Sequence, residues 1–358
     1  MKNRFNGRAI QNVIERLPDG ASKMAALLDA IQQADEAGEL YWRLHFRYTY
    51  IYQATFHDDA PKAMPMAAEF SSIYDGHFEE AQRTVFGPQA YLYVMEMGIE
   101  PAVRLPQIPL EQYEAMLAKF RDLTRRFGLG EQVYWWEMFF RWQYADIQQA
   151  KKCLETAWRA PKDKVSDCVA CEHTRAAELY LALGDRETAD RYAKPLLERR
   201  ISPCGSTFQQ LNQIYLDDAL DRGRLDEAIP YAQKLQKIGE RDRGDLSYIS
   251  SVLRCWGLAD TKQALALFSR RLEWTFGMWD QKWLYDFYKA AWVCFREADR
   301  KQLKLRLPEK FPLYRADGVY DAPELAVWFY QQAKNIGERF DQRNRARYFA
   351  DNLAKAMG

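Results

Sequence analysis

Residues 166–239 have the sequence SDCVACEHTRAAELYLALGDRETADRYAKPLLERRISPCGSTFQQLNQIYLDDALDRGRLDEAIPYAQKLQKIG. This stretch consists of two long amphipathic segments, each interrupted by a short turn that begins with glycine. In the turns GDRETA (184–189) and GRLDEA (223–228), the glycine can adopt the positive φ that ends a helix. An acidic residue follows within three positions, where it faces the N-terminus of the next helix. The stretch therefore predicts two consecutive helical hairpins, in which Ala189 and Ala228 lie where paired helices approach closely.

The alanines that open the second helix of each hairpin recur at a regular interval. Ala150, Ala189, Ala228 and Ala264 are spaced by 39, 39 and 36 residues, and Ala63 looks like an earlier member of the series. An interval of this length is typical of repeat architectures, in which each hairpin buries its apolar faces by stacking on its neighbours. The helical period dominates the rest of the chain as well, so the predicted fold class is all-α.

Composition and charge exclude several classes of protein. The chain has 358 residues, of which 48% are hydrophobic and 14% aromatic, and its 51 basic residues nearly balance 50 acidic ones. That balance argues against a dedicated nucleic-acid binder, which would carry a basic footprint. No apolar run reaches the ~18 residues of a membrane span, and the N-terminus shows no signal peptide. Six cysteines in such a chain indicate reduced thiols, so we expect a cytoplasmic protein without a membrane partner.

Three segments are predicted along the chain. Residues 1–108 form an N-terminal helical region with a divergent hairpin and an irregular segment. Residues 109–298 form the array of hairpins, and residues 299–358 form a basic connector followed by a C-terminal helical cap.

Two regions are predicted to be irregular because glycines and prolines interrupt them. Residues 76–109 are expected to form short pieces around one helix at about Gln89–Met97. Arg300–Tyr320 is expected to be a basic connection without regular structure. The basic stretch Arg296–Arg315 is interpreted as a solvated surface, with the binding of an acidic partner as the alternative. Two helices, about Ala322–Gly337 and Phe340–Met357, are expected to close the chain.

The hairpins resemble the tetratricopeptide repeat (TPR), which is a pair of antiparallel helices. The matching residues are the glycine before the second helix, the acidic residue after it and the alanine: Gly184, Asp185 and Ala189, then Gly223, Asp226 and Ala228. The interval here is longer than the ~34 residues of that family, and its Trp-Leu-Gly signature is absent. Covering roughly residues 130–275, the resemblance implies a right-handed superhelix of antiparallel helical hairpins, with a concave groove lined by the first helices.

A protein or peptide ligand is what this resemblance implies. Large cytosolic bacterial TPR proteins are similar in size and in their divergent repeats, and they include immunity proteins that hold a toxin and regulators that sense peptides. Toxin neutralisation is the first specific hypothesis, and a peptide-responsive regulator is the alternative. Six residues of the first helices are predicted to point into the groove and bind the partner, or merely to line it: Arg141, Tyr180, Gln209, Asn212, Tyr215 and Tyr248.

Three cysteines form the one cluster in the sequence that points to chemistry. Cys168 and Cys171 lie at i, i+3 at the start of a first helix, and Cys204 follows the end of the paired second helix. Since those ends are neighbours in an antiparallel hairpin, the sulfurs can converge. Thiolates suit zinc, which usually takes four ligands. A structural zinc, a disulfide and buried thiols that pack as small apolar residues therefore stay open.

No catalytic motif or nucleophile–base pattern is recognised in the sequence, and the chain is not expected to be an enzyme. A zinc or thiol enzyme centred on Cys168, Cys171 and Cys204 is the minority alternative. No cofactor other than that possible zinc is expected.

Overall fold

The computed structural model describes residues 5–238 and 243–357. Within these ranges the chain forms eighteen α-helices and two short β-strands, so the all-α prediction is confirmed. None of the described helices is both long and apolar enough to cross a bilayer. Two compact units are present: Met1–Phe140 with Cys153–Ser166, and Arg141–Lys152 with Asp167–Gly358. The predicted division at residues 108 and 298 stays a prediction.

The first unit is built from consecutive helices that pack against one another. Its helices are α1 (Gly7–Glu15), α2 (Ala21–Ala37), α3 (Leu40–His57), α4 (Ala63–Gly76), α5 (Phe78–Ala81), α6 (Pro88–Arg104) and α7 (Leu110–Phe127). Contacts join α2 to α3, α3 to α4, α4 to α6 and α6 to α7. Leu44, Phe70 and Phe120 are fully buried among them. The next two helices are α8 (Glu131–Trp142) and α9 (Ile147–Arg159), and the chain passes between the units within α8, within α9 and again after Ser166.

Helix α6 corrects the prediction of short pieces around Gln89–Met97. It runs without interruption through Gly98 and Pro101. A Cβ atom on Gly98 would lie 2.7 Å from the Cβ of Ala67 on α4. The glycine that looked like a stop signal is therefore a point of close contact between two helices. The helix also continues through Pro101, although an interior proline removes one backbone hydrogen bond and its ring crowds the preceding turn.

The second unit contains the predicted hairpins. Its helices are α10 (Val169–Ala182), α11 (Arg186–Leu197), α12 (Thr207–Asp221), α13 (Leu225–Ile238), α14 (Leu246–Ala259), α15 (Thr261–Arg271), α16 (Gln281–Arg296), α17 (Ala322–Asn344) and α18 (Tyr348–Lys355). Gly184 and Gly223 follow α10 and α12 with φ of 76° and 68°, as the turns require. The paired helices α10–α11, α12–α13 and α14–α15 pack together, and the first helices α10, α12, α14 and α16 pack in succession.

The alanines of the repeat lie in tight packing. Ala150, Ala189, Ala228 and Ala264 are all 0% exposed. Because a fully buried alanine leaves no room for a longer side chain, these positions fix how closely neighbouring helices approach. The regular interval in the sequence therefore marks a regular packing position.

The structure corrects the prediction that Arg300–Tyr320 is an irregular connection. Strands β1 (Gln302–Lys304) and β2 (Val319–Asp321) pair antiparallel, with Leu303 opposite Tyr320. Alternate residues of the segment enter the hydrophobic core: Leu303, Leu305 and Leu307, followed by Phe311. Leucines that alternate with polar residues form the period-2 pattern of a half-buried strand, which explains why this segment is ordered.

The C-terminal helices also differ from the predicted bounds. Helix α17 continues past Gly337 to Asn344, and α18 begins only at Tyr348. A Cβ atom on Gly337 would lie 3.1 Å from both the Cβ of Phe349 and a ring carbon of Tyr285. This glycine, like Gly98, allows a close helix contact rather than ending its helix.

Candidate functional site

Polar side chains form three successive cross-links between α12 and α14 in the second unit. We call these pairs the polar ladder: Gln213 with Ser247, Asp217 with Ser251, and Asp221 with Arg254. The donor–acceptor distances are 2.8 Å from Gln213 Nε2 to Ser247 Oγ, 3.0 Å from Ser251 Oγ to Asp217 Oδ2, and 2.6 Å from Arg254 Nη1 to Asp221 Oδ1. The ladder thus joins the first helices of two consecutive hairpins by side-chain hydrogen bonds.

Helical spacing explains why these six residues meet. The α12 members recur every fourth residue, so they lie on one face of the helix, one turn apart. Leu216 and Leu220 of the same helix are buried in the core. On α14 the ladder residues follow at intervals of four and three, which also keeps them on one face of the helix, and Val252 and Leu253 are buried. Each helix therefore presents a polar stripe beside its apolar one.

The ladder lies between core and open surface. Arg254 is only 5% exposed, and its buried guanidinium pairs with Asp221, whose side chain is 31% exposed. Gln213 and Asp217 are half-buried. Solvent, and any ligand, therefore reaches one edge of the ladder while the other edge is held by packing.

Helix α16 adds further charged groups beside the ladder. Lys289 is 8% exposed and donates from Nζ to Asn352 Oδ1 of α18 at 2.6 Å. Helix α16 also carries Lys282 and Asp286, which form an ion pair with 2.6 Å between Lys282 Nζ and Asp286 Oδ2. The second unit therefore holds charges of both signs, each with a hydrogen-bond partner, on neighbouring helices.

Burial changes the proton affinity of two of these groups. Burial raises the pKa of Asp217 to about 6, although the positive charges of Lys289 and Arg254 oppose it. Burial lowers the pKa of Lys289 to about 8, and repulsion from Arg254 adds to this. Titratable groups with shifted pKa values in a partly open site are typical of functional sites. The polar ladder with Lys289 is therefore the candidate site of this chain.

A small pocket adjoins the ladder. Its cavity of about 250 Å³ lies between α12, α13 and α14, and buried Leu235 and Ile249 form part of its wall. Two residues predicted to bind the partner, Gln209 and Tyr248, line it. Gln209 precedes Gln213 by one turn of α12, and Tyr248 follows Ser247 on α14, so the pocket lies near the first rung of the ladder, although its lining includes no ladder residue.

The other four residues predicted to bind a partner are buried: Arg141, Tyr180, Asn212 and Tyr215. Tyr215 donates from its hydroxyl to Asp190 Oδ1 of α11 at 2.5 Å, and Tyr180 stacks on Tyr192 of α11 at 5.8 Å. These side chains support the packing of the hairpins and offer little surface in this conformation. Their role in partner binding stays a prediction.

The three predicted cysteines come together. The sulfur atoms of Cys168, Cys171 and Cys204 all lie within 4.8 Å of one another. Burial opposes ionisation of Cys168, but hydrogen bonds from Cys171 and Cys204 outweigh it and lower the pKa of the thiol. Burial raises the pKa of Cys171 to about 12, and its hydrogen bond to Cys168 contributes.

The sequence reasoning missed the polar ladder, because polar residues at i, i+4 on a helix usually indicate a solvated face. A signal was present in the chain: two rungs join residues 34 apart, and the third joins residues 33 apart. Complementary polar residues that recur at such a constant offset, close to one repeat, indicate a contact between successive first helices.

Comparison with protein-family models and with curated proteins found no match to this sequence. The side chains of the chain itself therefore carry the functional inference.

Proposed function

We propose that this chain is a TPR-like, right-handed solenoid that binds a protein or peptide along the face formed by α12, α14 and α16. The observation that carries the proposal is the polar ladder. Its donors and acceptors are held in place by hydrogen bonds before any ligand arrives, so binding orders few side chains and costs little entropy. Charges of both signs at fixed positions also favour one partner over others.

The packing order of the helices supports the proposed architecture. The first helices α10, α12, α14 and α16 contact one another in succession, and each of the first three also packs against the second helix of its hairpin. Stacked hairpins of this kind leave the first helices along one face. The right-handed superhelix is the part of the proposal that comes from the TPR resemblance.

The chemistry of the face suits a peptide chain. Asp217 and Asp221 offer carboxylate oxygens, and Lys289 offers a cation nearby. A partner with exposed amide, cationic and carboxylate groups complements such a mixed row. The pocket beside Gln209 and Tyr248 is smaller than the sites that hold whole drug-sized ligands, so it fits one side chain of the partner.

A protein toxin is the first partner class in this proposal, and a short regulatory peptide is the second. An immunity complex buries at least about 1,200 Å² of surface, whereas a short peptide covers only the ladder and the pocket. A cytoplasmic location belongs to the same proposal, and no catalytic step is part of it.

A binding experiment with matched charge changes tests the proposal. The tagged full chain is used to capture partners from a lysate of the native cell, as wild type and as the double variant Asp217→Asn, Lys289→Gln. Both substitutions remove a charge that burial disfavours, so this variant is expected to fold. The control, Arg224→Gln with Asp226→Asn, removes one charge of each sign from an exposed ion pair outside the ladder.

The expected result is one stoichiometric protein that the wild type and the control retain and the ladder variant loses. The recombinant partner should then bind the ladder variant at least about 10-fold more weakly in calorimetry. If the partner is a toxin, co-expression with the wild type should restore growth, and co-expression with the ladder variant should not. Equal binding by the ladder variant and the wild type would refute this face as the site.

A further inference from the structure

We propose that Cys168, Cys171 and Cys204 bind one Zn²⁺ ion, whose fourth coordination position is open to water or an external ligand. Their sulfur atoms lie within 4.8 Å of one another, and those of Cys168 and Cys171 are 3.5 Å apart. Two thiolates at 2.3 Å from a tetrahedral zinc ion are about 3.8 Å apart. The present separations therefore need only small side-chain movements to admit the ion.

The backbone holds these cysteines in place. Cys168 caps the N-terminus of α10, where its sulfur accepts a hydrogen bond from the N–H of Cys171. Cys204 lies in the turn before α12. Its N–H donates to Thr207 Oγ1 at 2.9 Å, and the N–H of Thr207 donates back to the Cys204 carbonyl at 2.9 Å. The N-terminus of α10 and the turn before α12 thus hold the sulfur atoms of the three cysteines close together.

The charges around the cluster fit a zinc–thiolate centre. Zn²⁺ with three thiolates carries a net charge of −1, which the N-terminus of an α-helix stabilises. The positive charge of Arg175, on the same helix, acts on Cys171. Its guanidinium also pairs with Asp167, which fixes it next to the cluster.

Among residues 5–238 and 243–357, the side chains placed to hold one metal ion at this site are the three cysteines alone, without a His, Asp or Glu as a fourth ligand. His173 is close in sequence, but neither of its ring nitrogens lies within the cluster, and its Nδ1 is 2.9 Å from the Tyr192 carbonyl oxygen. Three protein ligands and an open position are characteristic of zinc sites that bind an exchangeable ligand. A disulfide would use two of the three sulfurs and leave the third without a role.

The consequence for the fold is a tether between two hairpins. The ion would join the start of α10 to the turn between α11 and α12. This role is independent of the partner-binding face, because no residue of the polar ladder belongs to the cluster.

The test uses the full chain, purified with a reductant and stripped of metal by a chelator. Equilibrium dialysis against Zn²⁺ is expected to give about one ion per chain. Replacement of all three cysteines by serine should abolish binding, and each single replacement should weaken it at least about 100-fold. Cys255→Ala, which changes a buried cysteine outside the cluster, is the control and should bind as the wild type does.

Two further readouts keep the test decisive if a variant folds poorly. Zn²⁺ should protect Cys168, Cys171 and Cys204 of the wild type from alkylation, as peptide mass spectrometry detects. Co²⁺ in place of Zn²⁺ should give the absorption bands of a tetrahedral thiolate complex. The proposal is overturned if the reduced wild type binds no Zn²⁺, if it binds Cu⁺ but not Zn²⁺, or if Zn²⁺ leaves all three thiols reactive.

Discussion

The Asp217→Asn variant is expected to be more stable than the wild type, and the difference in the free energy of unfolding is expected to grow as the pH rises. The raised pKa of Asp217 means that the folded state binds this proton more tightly than the unfolded state does. The stability gained from the neutral carboxyl is fully present below the ordinary pKa of 3.8 and is lost as the pH rises towards about 6. Asparagine stays neutral throughout, so the variant escapes that loss.

The magnitude follows from the change in pKa. A rise from 3.8 to about 6 corresponds to about 3 kcal/mol in favour of the neutral form in the folded state. Because Asp217 is partly exposed, solvent screening reduces this to about 1–2 kcal/mol. An asparagine oxygen can still accept the hydrogen bond from Ser251, which Asp217 accepts at 3.0 Å. The difference between variant and wild type should therefore grow between pH 3.8 and pH 6 and then stay constant.

Urea denaturation at about pH 4, 5, 6 and 7.5 measures this difference. Since the chain has two compact units, hydrogen exchange in α12 and α14 should accompany it, because that signal reports the second unit alone. The control is Asp218→Asn, at the next residue of α12. Its carboxylate accepts hydrogen bonds from Arg186 at 2.8 Å and Arg222 at 3.0 Å, so its loss should destabilise the protein by up to about 1 kcal/mol at neutral pH.

Either of two results would refute this reasoning. One is an Asp217→Asn variant less stable than the wild type at neutral pH. The other is a gain in stability that is the same at every pH, because that gain would not come from the carboxyl proton.

Three other substitutions probe the packing of the helices. Ala228→Leu should lower the free energy of unfolding by about 1–3 kcal/mol in urea denaturation, because the site is fully buried. Gly98→Ala should destabilise the protein by about 1 kcal/mol or more, although alanine is the better helix former, because its Cβ would lie 2.7 Å from that of Ala67. Tyr215→Phe should cost about 1–2 kcal/mol in thermal unfolding, because Asp190 loses its hydrogen bond.

Controls separate these effects from general damage. Gly98→Ala combined with Ala67→Gly should recover part of the stability, since it moves the methyl group to the other helix. Ala354→Leu, at an exposed position of α18, should change stability little compared with Ala228→Leu. A neutral Ala228→Leu variant would show that the repeat alanines do not set the helix spacing, and an unchanged Tyr215→Phe variant would show that its hydroxyl contributes no net stability.

Features encoded by neighbouring residues could be predicted from the sequence. Helices α2, α7 and α9 cover Ala21–Ala37, Leu110–Phe127 and Ile147–Arg159, and the helical period of apolar residues in the sequence covers the same three ranges. An apolar period of 3.6 marks the length of such a helix, and a glycine such as Gly38 or Gly128 marks its end with a positive φ.

Features that depend on a distant partner could not be predicted in this way. Gly98 and Gly337 resemble Gly38 in sequence, and only the helix packed across each of them shows that it permits close contact rather than ending its helix. The alternation of Leu303, Leu305 and Leu307 is a strand signal, but it is too short to stand out in a helical chain. The polar ladder needs the further knowledge of which helix faces α12.

The side-chain cross-links between α12 and α14 also govern how the two helices respond to force. Sliding one helix along the other stretches all three rungs of the polar ladder at the same moment, because the rungs lie at successive turns across the interface. Spreading the helices from one end loads the rungs one after another. The ladder itself therefore resists shear more than it resists opening from one end. A partner that pulls on one end of the ladder thus loads one rung at a time, whereas tension along the helix axes is shared by all three rungs.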